Sequence, residues 1–193
     1  MQVQAATASD LDAVTETLVA AFDRDPLWRW AFPEGDGIET FWRFCVGSAL
    51  RFPCTRFLAG YAAAAVWIPP GEEEFGPEEE RQVGPLIQRL AGSRAGEILE
   101  LLDRFEAVHP RERPHYHLTL FGTAPERRGA GLGMTLLREN LAAIDGEHMP
   151  AYLESSNPAN DARYETVGFA PMGSFETPDG SHRVTTMWRE ARL

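Results

Sequence analysis

The chain has 193 residues, 44% hydrophobic and 24% charged, which suits one soluble globular domain with a full core and excludes global disorder. With 29 acidic and 18 basic residues its formal charge is −11, a field that repels phosphate polymers, so no nucleic-acid partner is expected. No run of 18 apolar residues occurs and the first ten residues lack the pattern of a signal peptide, so no membrane partner is expected and the expected location is cytoplasmic.

Arginine supplies every basic residue, since the chain contains no lysine. Cys45 and Cys54 match neither a redox pair nor a zinc site, so no metal is expected, and Cys45 within FWRFCVGSAL reads as a buried inert thiol.

In chain order, residues 2–6 read as a short strand, with Ser9 as the cap of a first helix. Leu11, Val14, Leu18, Ala21 and Phe22 recur at helical spacing and carry that helix to about Phe22. Residues 23–37 read as an aromatic loop, followed by a helix over 38–52 and strands over 55–58 and 61–67. The acidic run over 71–80 reads as a solvated connection. Helices follow over 78–90 and 93–107. The last third alternates strand 116–123, helix 132–144, strand 151–155 and helix 159–167, then closes with a strand pair around Asp179-Gly180. The pattern predicts one α/β domain, residues 1–193, with a mixed sheet.

The stretch APERRGAGLGMTLL, from Ala124, strips side chains from a helix entrance. Free N–H groups at a helix start carry the positive end of the dipole and suit a pyrophosphate, and glycine allows the approach. The P-loop grammar GxxxxGK[ST] is excluded by the missing lysine, and GxGxxG started at Gly129 fails at Met134. What fits is R-x-x-G-x-G, on Arg128, Gly131 and Gly133.

HLTLFGTAPERRGAGLGMTLL resembles the acetyl-CoA-binding motif of the GCN5-related N-acetyltransferases, and PAYLESSNPANDARYETVGF resembles that family's next strand and its Asn…Tyr-Glu-x-x-Gly-Phe signature. With AAFDRDP, AAVWIPP and EAVHPRERPHYHL, the resemblance is strongest toward puromycin N-acetyltransferases and their relatives. One departure is Thr123, where the family often has valine. The resemblance implies a single acyltransferase domain with a mixed sheet of six to seven strands flanked by helices. It also implies acetyl-CoA as co-substrate, wrapped by Arg128, Gly129, Ala130, Gly131, Leu132 and Gly133. The pantetheine arm would pair with the backbone of Phe121, Gly122 and Thr123. Asn160 would hydrogen-bond that arm, or alternatively cap a helix.

Acetyl transfer to an amine needs a thioester held and polarised, a base for the amine and an acid for the leaving thiolate. Tyr164 is the expected acid, since a phenol is protonated at neutral pH. His117 and Glu154, on neighbouring strands, are rival bases. His109, His115 and Glu106 are candidates for the acceptor side, as is the segment 26–33 with Trp28, Trp30 and Phe32. Asp23 and Asp25 beside it would favour a cationic amine.

The expected activity is direct transfer, in a ternary complex, to a primary amine of a small molecule, by a monomer or homodimer. The rivals are a CoA-binding module without catalysis and a protein N-acetyltransferase.

Overall fold

All six residues of β3 (Ala63–Ile68), AAAVWI, are buried, as a strand covered on both faces requires. The computed structural model describes residues 2–192. Around β3 runs a seven-stranded sheet in the order β1-β2-β3-β4-β5-β7-β6. Its other strands are β1 (Val3–Ala5), β2 (Arg56–Leu58), β4 (Tyr116–Thr123), β5 (Ala151–Ser155), β6 (Ala170–Glu176) and β7 (Arg183–Arg189). β4 and β5 pair in parallel and every other neighbouring pair is antiparallel, so the sheet is mixed as expected.

On one face lie α1 (Leu11–Phe22), α2 (Pro26–Ala31), α3 (Asp36–Ala49), α4 (Pro77–Ala91) and α5 (Ala95–Val108). Val14 and Leu18 of α1 pack there with Trp42 and Val46 of α3 and Ile98 of α5. The other face is covered by α6 (Leu132–Gly146), whose Leu136, Leu137 and Leu141 meet Leu153 of β5 and Met187 of β7. A short α7 (Asp161–Glu165) joins β5 to β6.

Several local expectations change. Thr7, not Ser9, opens the first helical segment: its N–H and hydroxyl both donate to Oδ2 of Asp10 at 2.8 Å, as in a capping box. The expected loop 23–37 contains α2, because Asp25 caps it and Pro26 occupies its first position, where no N–H is needed. β3 begins two residues late, since Gly60 and Tyr61 both adopt positive φ and turn the chain first. The expected helix 159–167 is shorter, a 3₁₀ turn over Pro158–Asn160 followed by α7.

At the carboxyl end, Arg189 donates to both carboxylate oxygens of Asp145 at 2.7 Å and through Nε to the carbonyl of Val167 at 2.9 Å. This buried fork ties β7 to α6 and to the turn before β6.

Candidate functional site

The site begins where two parallel strands part. β5 pairs with β4 only at Tyr116↔Ala151, His117↔Tyr152 and Leu118↔Leu153. Beyond Leu118, β4 continues to Thr123 against β3 alone, with a bulge that sets Leu118 against Trp67 and Leu120 against Val66. The extra residue, Thr119, reverses the alternation, so Leu118 packs in the α6-side core and Leu120 in the opposite one. β5 stops at Ser155, whose hydroxyl donates to the carbonyl of Asn157, and Pro158 then begins a 3₁₀ turn. The upper half of β4 is thereby left with an open edge inside the sheet, able to pair with an extended ligand.

That edge leads into the glycine turn. Gly129 and Gly131 have φ of +84° and +72°, and a Cβ at either would meet nothing within 4 Å. Backbone conformation and open space both account for glycine there. Gly131 is the N-cap of α6 and supplies no side-chain cap, so the first N–H groups of the helix stay available to a ligand. Arg128 is exposed and donates through Nη2 to the carbonyl of Ala21 at 2.7 Å, at the carboxyl end of α1. Ala130 is exposed and Leu132 half-buried.

At two further glycines of the expected site the absent side chain is accounted for by packing. A Cβ on Gly133 would lie 2.3 Å from Oγ1 of Thr123 and 3.3 Å from Cζ of Phe121, so this glycine seats α6 on β4. A Cβ on Gly122 would lie 2.4 Å from Cβ of Ala21, so this one seats α1.

Below the split is a cavity of about 990 Å³, which brings together His117, Phe121, Glu154, Asn160 and Tyr164. His117 and Glu154, read from sequence as rivals, form one unit: Nε2 to Oε2 is 2.7 Å, with the side chains 15% and 6% exposed. Burial pulls the imidazole down, but the charge and hydrogen bond of Glu154, with Glu74 beyond, raise it overall. Burial pushes Glu154 up, and the charge and hydrogen bond of His117 outweigh it, holding the carboxyl below its ordinary value. His109, at the end of α5, has its ring 4.8 Å from that of His117, and burial with that neighbour takes it down to about 4. Donor atoms of His109, His117 and Glu154 lie within 4.8 Å of one another, near enough for a cation on distance alone. The His117–Glu154 hydrogen bond spends two of these groups on each other.

Tyr164, on α7, is half-buried with its ring 6.4 Å from Phe121. Burial, then the charges of Asp25 and Asp161, push its phenol above the ordinary value and keep it protonated. Asn160 makes no capping bond. Asn157 caps instead, accepting from the N–H of Ala159 at 3.1 Å, so the helix-cap alternative for Asn160 falls away.

The other acceptor-side candidates separate. His109 and Glu106 line the cavity, Glu106 exposed and paired with Arg111. His115 is buried, its Nδ1 2.7 Å from the carbonyl of Arg113 and its ring against Tyr152 and Trp188, and has a packing role. Trp28 lines the cavity as one of its aromatic walls, whereas Trp30 donates from Nε1 to Asp179 at 2.8 Å and pins α2 to the β6–β7 turn.

Two carboxylates change standing. Asp25 is buried rather than solvated: Oδ1 accepts from the N–H groups of Leu27 and Trp28, and Oδ2 from the hydroxyl of Ser156 at 2.7 Å. Burial raises its carboxyl overall. Glu74, assigned from sequence to a solvated run, lines the cavity, where burial pushes it up to about 7. The Asp-Pro pair marks the first as a helix cap, whereas nothing local distinguishes Glu74 from Glu72 and Glu73.

No family model matches the sequence. Among solved structures, a histone acetyltransferase HPA2-related acetyltransferase from Corynebacterium glutamicum superposes with a TM-score of 0.71 at 20% identity, over 100% of this chain and 97% of its own. A Drosophila melanogaster polyamine N-acetyltransferase that forms N-acetylagmatine gives 0.69 at 18%, over 98% and 99%. Arylalkylamine N-acetyltransferase 2 from Aedes aegypti gives 0.69 at 14%, over 99% of both chains. The fold of this chain is that of the GCN5-related N-acetyltransferases. Among the described residues, no helix is long and apolar enough to cross a membrane.

Proposed function

We propose that the protein is an acetyl-CoA-dependent N-acetyltransferase that acetylates a primary amine of a small molecule directly, in a ternary complex. The observation that carries this reading is the split between β4 and β5, which opens from the glycine turn onto a cavity holding His117–Glu154 and Tyr164. The space over Gly129 and Gly131 fits a pyrophosphate, and the open β4 edge at Phe121, Gly122 and Thr123 fits a pantetheine arm. Acetyl-CoA supplies the activated acetyl group, and the chain supplies position and protons.

An ionised carboxylate can only accept, so Nε2 of His117 carries the hydrogen shared with Glu154 and Nδ1 keeps the free lone pair. Nδ1 takes the proton from the acceptor's ammonium, and Glu154 stabilises the imidazolium that forms. The freed nitrogen lone pair makes the new N–C bond as the C–S bond breaks. Tyr164 gives its proton to the departing sulfur, the second proton shed by the acylated nitrogen restores its phenol, and His117 releases the first proton to solvent. A backbone N–H on the open edge of β4 polarises the thioester carbonyl, and Asn160, on the cavity wall with its Oδ1 accepting from Arg163 at 3.3 Å, would hold the pantetheine arm.

Helices α4 and α5 roof the cavity through Val83 and Leu102, which supports a small acceptor over an extended peptide. The test is a screen for release of free CoA with amino acids, polyamines, arylalkylamines, aminoglycosides and aminonucleosides. Acetyl-CoA binding without turnover on any of them would overturn the reading and leave a CoA-binding module.

A further inference from the structure

Glu74 stands in the run EEEF, yet its backbone is fastened to the end of α3. Its carbonyl accepts from the hydroxyl of Ser48 and from Nη1 of Arg51, both at 2.9 Å, and Arg51 also donates to the carbonyl of Glu73. The ring of Phe75 lies 5.3 Å from that of Phe44. So held, Glu74 lines the cavity near His117 and Glu154, with Arg51 and Glu80 the other charges acting on it. Of the other acids on the cavity wall, Glu73 and Glu106 pair with Arg111, and Glu72, Glu80 and Asp103 are exposed to solvent.

Helix α5 carries one broad apolar face. Ala95, Ile98 and Leu101 are buried in the core. Leu99, Leu102 and Phe105, set among and beside them on that face, are half-buried, pack against the core and line the cavity. The part of them left on the cavity wall is apolar area for a ligand to cover.

We propose that the acceptor is a primary monoamine with an apolar body, its ammonium group received by Glu74 beside His117 and its body lying along Leu99, Leu102 and Phe105. This rests on the transferase reading above and specifies its substrate class. A carboxylate in a partly desolvated site gains most from a cation, and its neighbour Glu154 already shares its countercharge with His117. The second charge of a diamine would lie against the apolar wall and lose hydration there, with only solvent-exposed carboxylates nearby to offset it.

The experiment is calorimetric titration of the full chain at pH 8, with and without CoA, using 2-phenylethylamine, 2-phenylethanol and 1,4-diaminobutane as probes. At that pH Glu74 is ionised and an alkylamine keeps its proton. Wild type should bind the phenylethylamine at least about tenfold more tightly than the alcohol or the diamine, and Glu74→Gln should remove most of the preference over the alcohol. Glu74→Asp, which keeps the charge on a shorter arm, should fall between and serves if the glutamine variant does not fold. Equal phenylethylamine affinity in wild type and variant, no binding by wild type, or tighter binding of the diamine overturns the proposal. CoA release is measured separately: binding as expected with no release from any amine overturns the transferase reading alone.

Discussion

Nε2 of His117 and Oε2 of Glu154 stand 2.7 Å apart where β4 and β5 part, His117 one residue before the last pair, Leu118↔Leu153, and Glu154 one residue after it. On the proposed mechanism the two residues act as one base. His117→Ala and Glu154→Gln should each lower kcat/KM by about a hundredfold, and the double variant should lose little more, because groups acting as a unit are not additive. Full additivity in the cycle would separate them. The base works as neutral imidazole, and His117 is raised in the folded protein, so kcat/KM should fall as pH drops through a value above about 6.5. Glu154→Gln removes the charge that raises it, and the limb should move to lower pH.

Gly131 and Gly133 should fail in different ways. Gly131→Val should lower acetyl-CoA affinity at least about tenfold in calorimetry; its Cβ points into open space, but φ of +72° strains a β-branched residue, so some stability is lost as well. Gly133→Ala drives a methyl into Thr123 and should cost about 1–3 kcal/mol in urea denaturation. Unchanged acetyl-CoA affinity in a folded Gly131→Val would remove the glycine turn from the proposed site.

Tyr164→Phe should reduce turnover by roughly a hundredfold with acetyl-CoA affinity nearly unchanged, since the ring stays in place. Turnover within about threefold of wild type would assign the proton to water or another group.

Asp25→Ala should destabilise the protein by about 1–2 kcal/mol, because the N–H groups of Leu27 and Trp28 and the hydroxyl of Ser156 all lose their acceptor. Asp25→Asn keeps an accepting oxygen for the helix start and should cost less. Chemical denaturation of both variants separates a capping role from a solvated one, which would show no loss.

The Arg189–Asp145 fork should make acid sensitivity local. The hydrogen bonds from Arg189 hold Asp145 below its ordinary value, so its contribution is present above the unfolded aspartate value of about 3.9 and is lost as pH falls through the lower folded one. Asp145→Ala leaves a guanidinium only 3% exposed without its partner, at a cost of about 3–5 kcal/mol at neutral pH. A denaturation midpoint unchanged from wild type at pH 7 would show the fork to be dispensable.

What the sequence determined by itself was local and periodic. The alternation of 116–123 and 151–155, the helical recurrence of Val14 and Leu18, and the glycines before Leu132 each follow from the backbone geometry of a few neighbouring residues, and the structure keeps them. The cap on α2 was legible in Asp25-Pro26, but a six-residue helix is too short to show a period. Only the tertiary structure decided which glycines face open space and which face Thr123 or Ala21, because that depends on the distance between elements far apart in the chain. It likewise joined His117 to Glu154, 37 positions on, by parallel pairing, and held Glu74 half-buried through Ser48 and Arg51, while Glu73, on the same cavity wall, stays exposed. Charge and residue type are written in the sequence, whereas burial, which sets what a carboxylate or imidazole can do, is a property of the assembled sheet and helices.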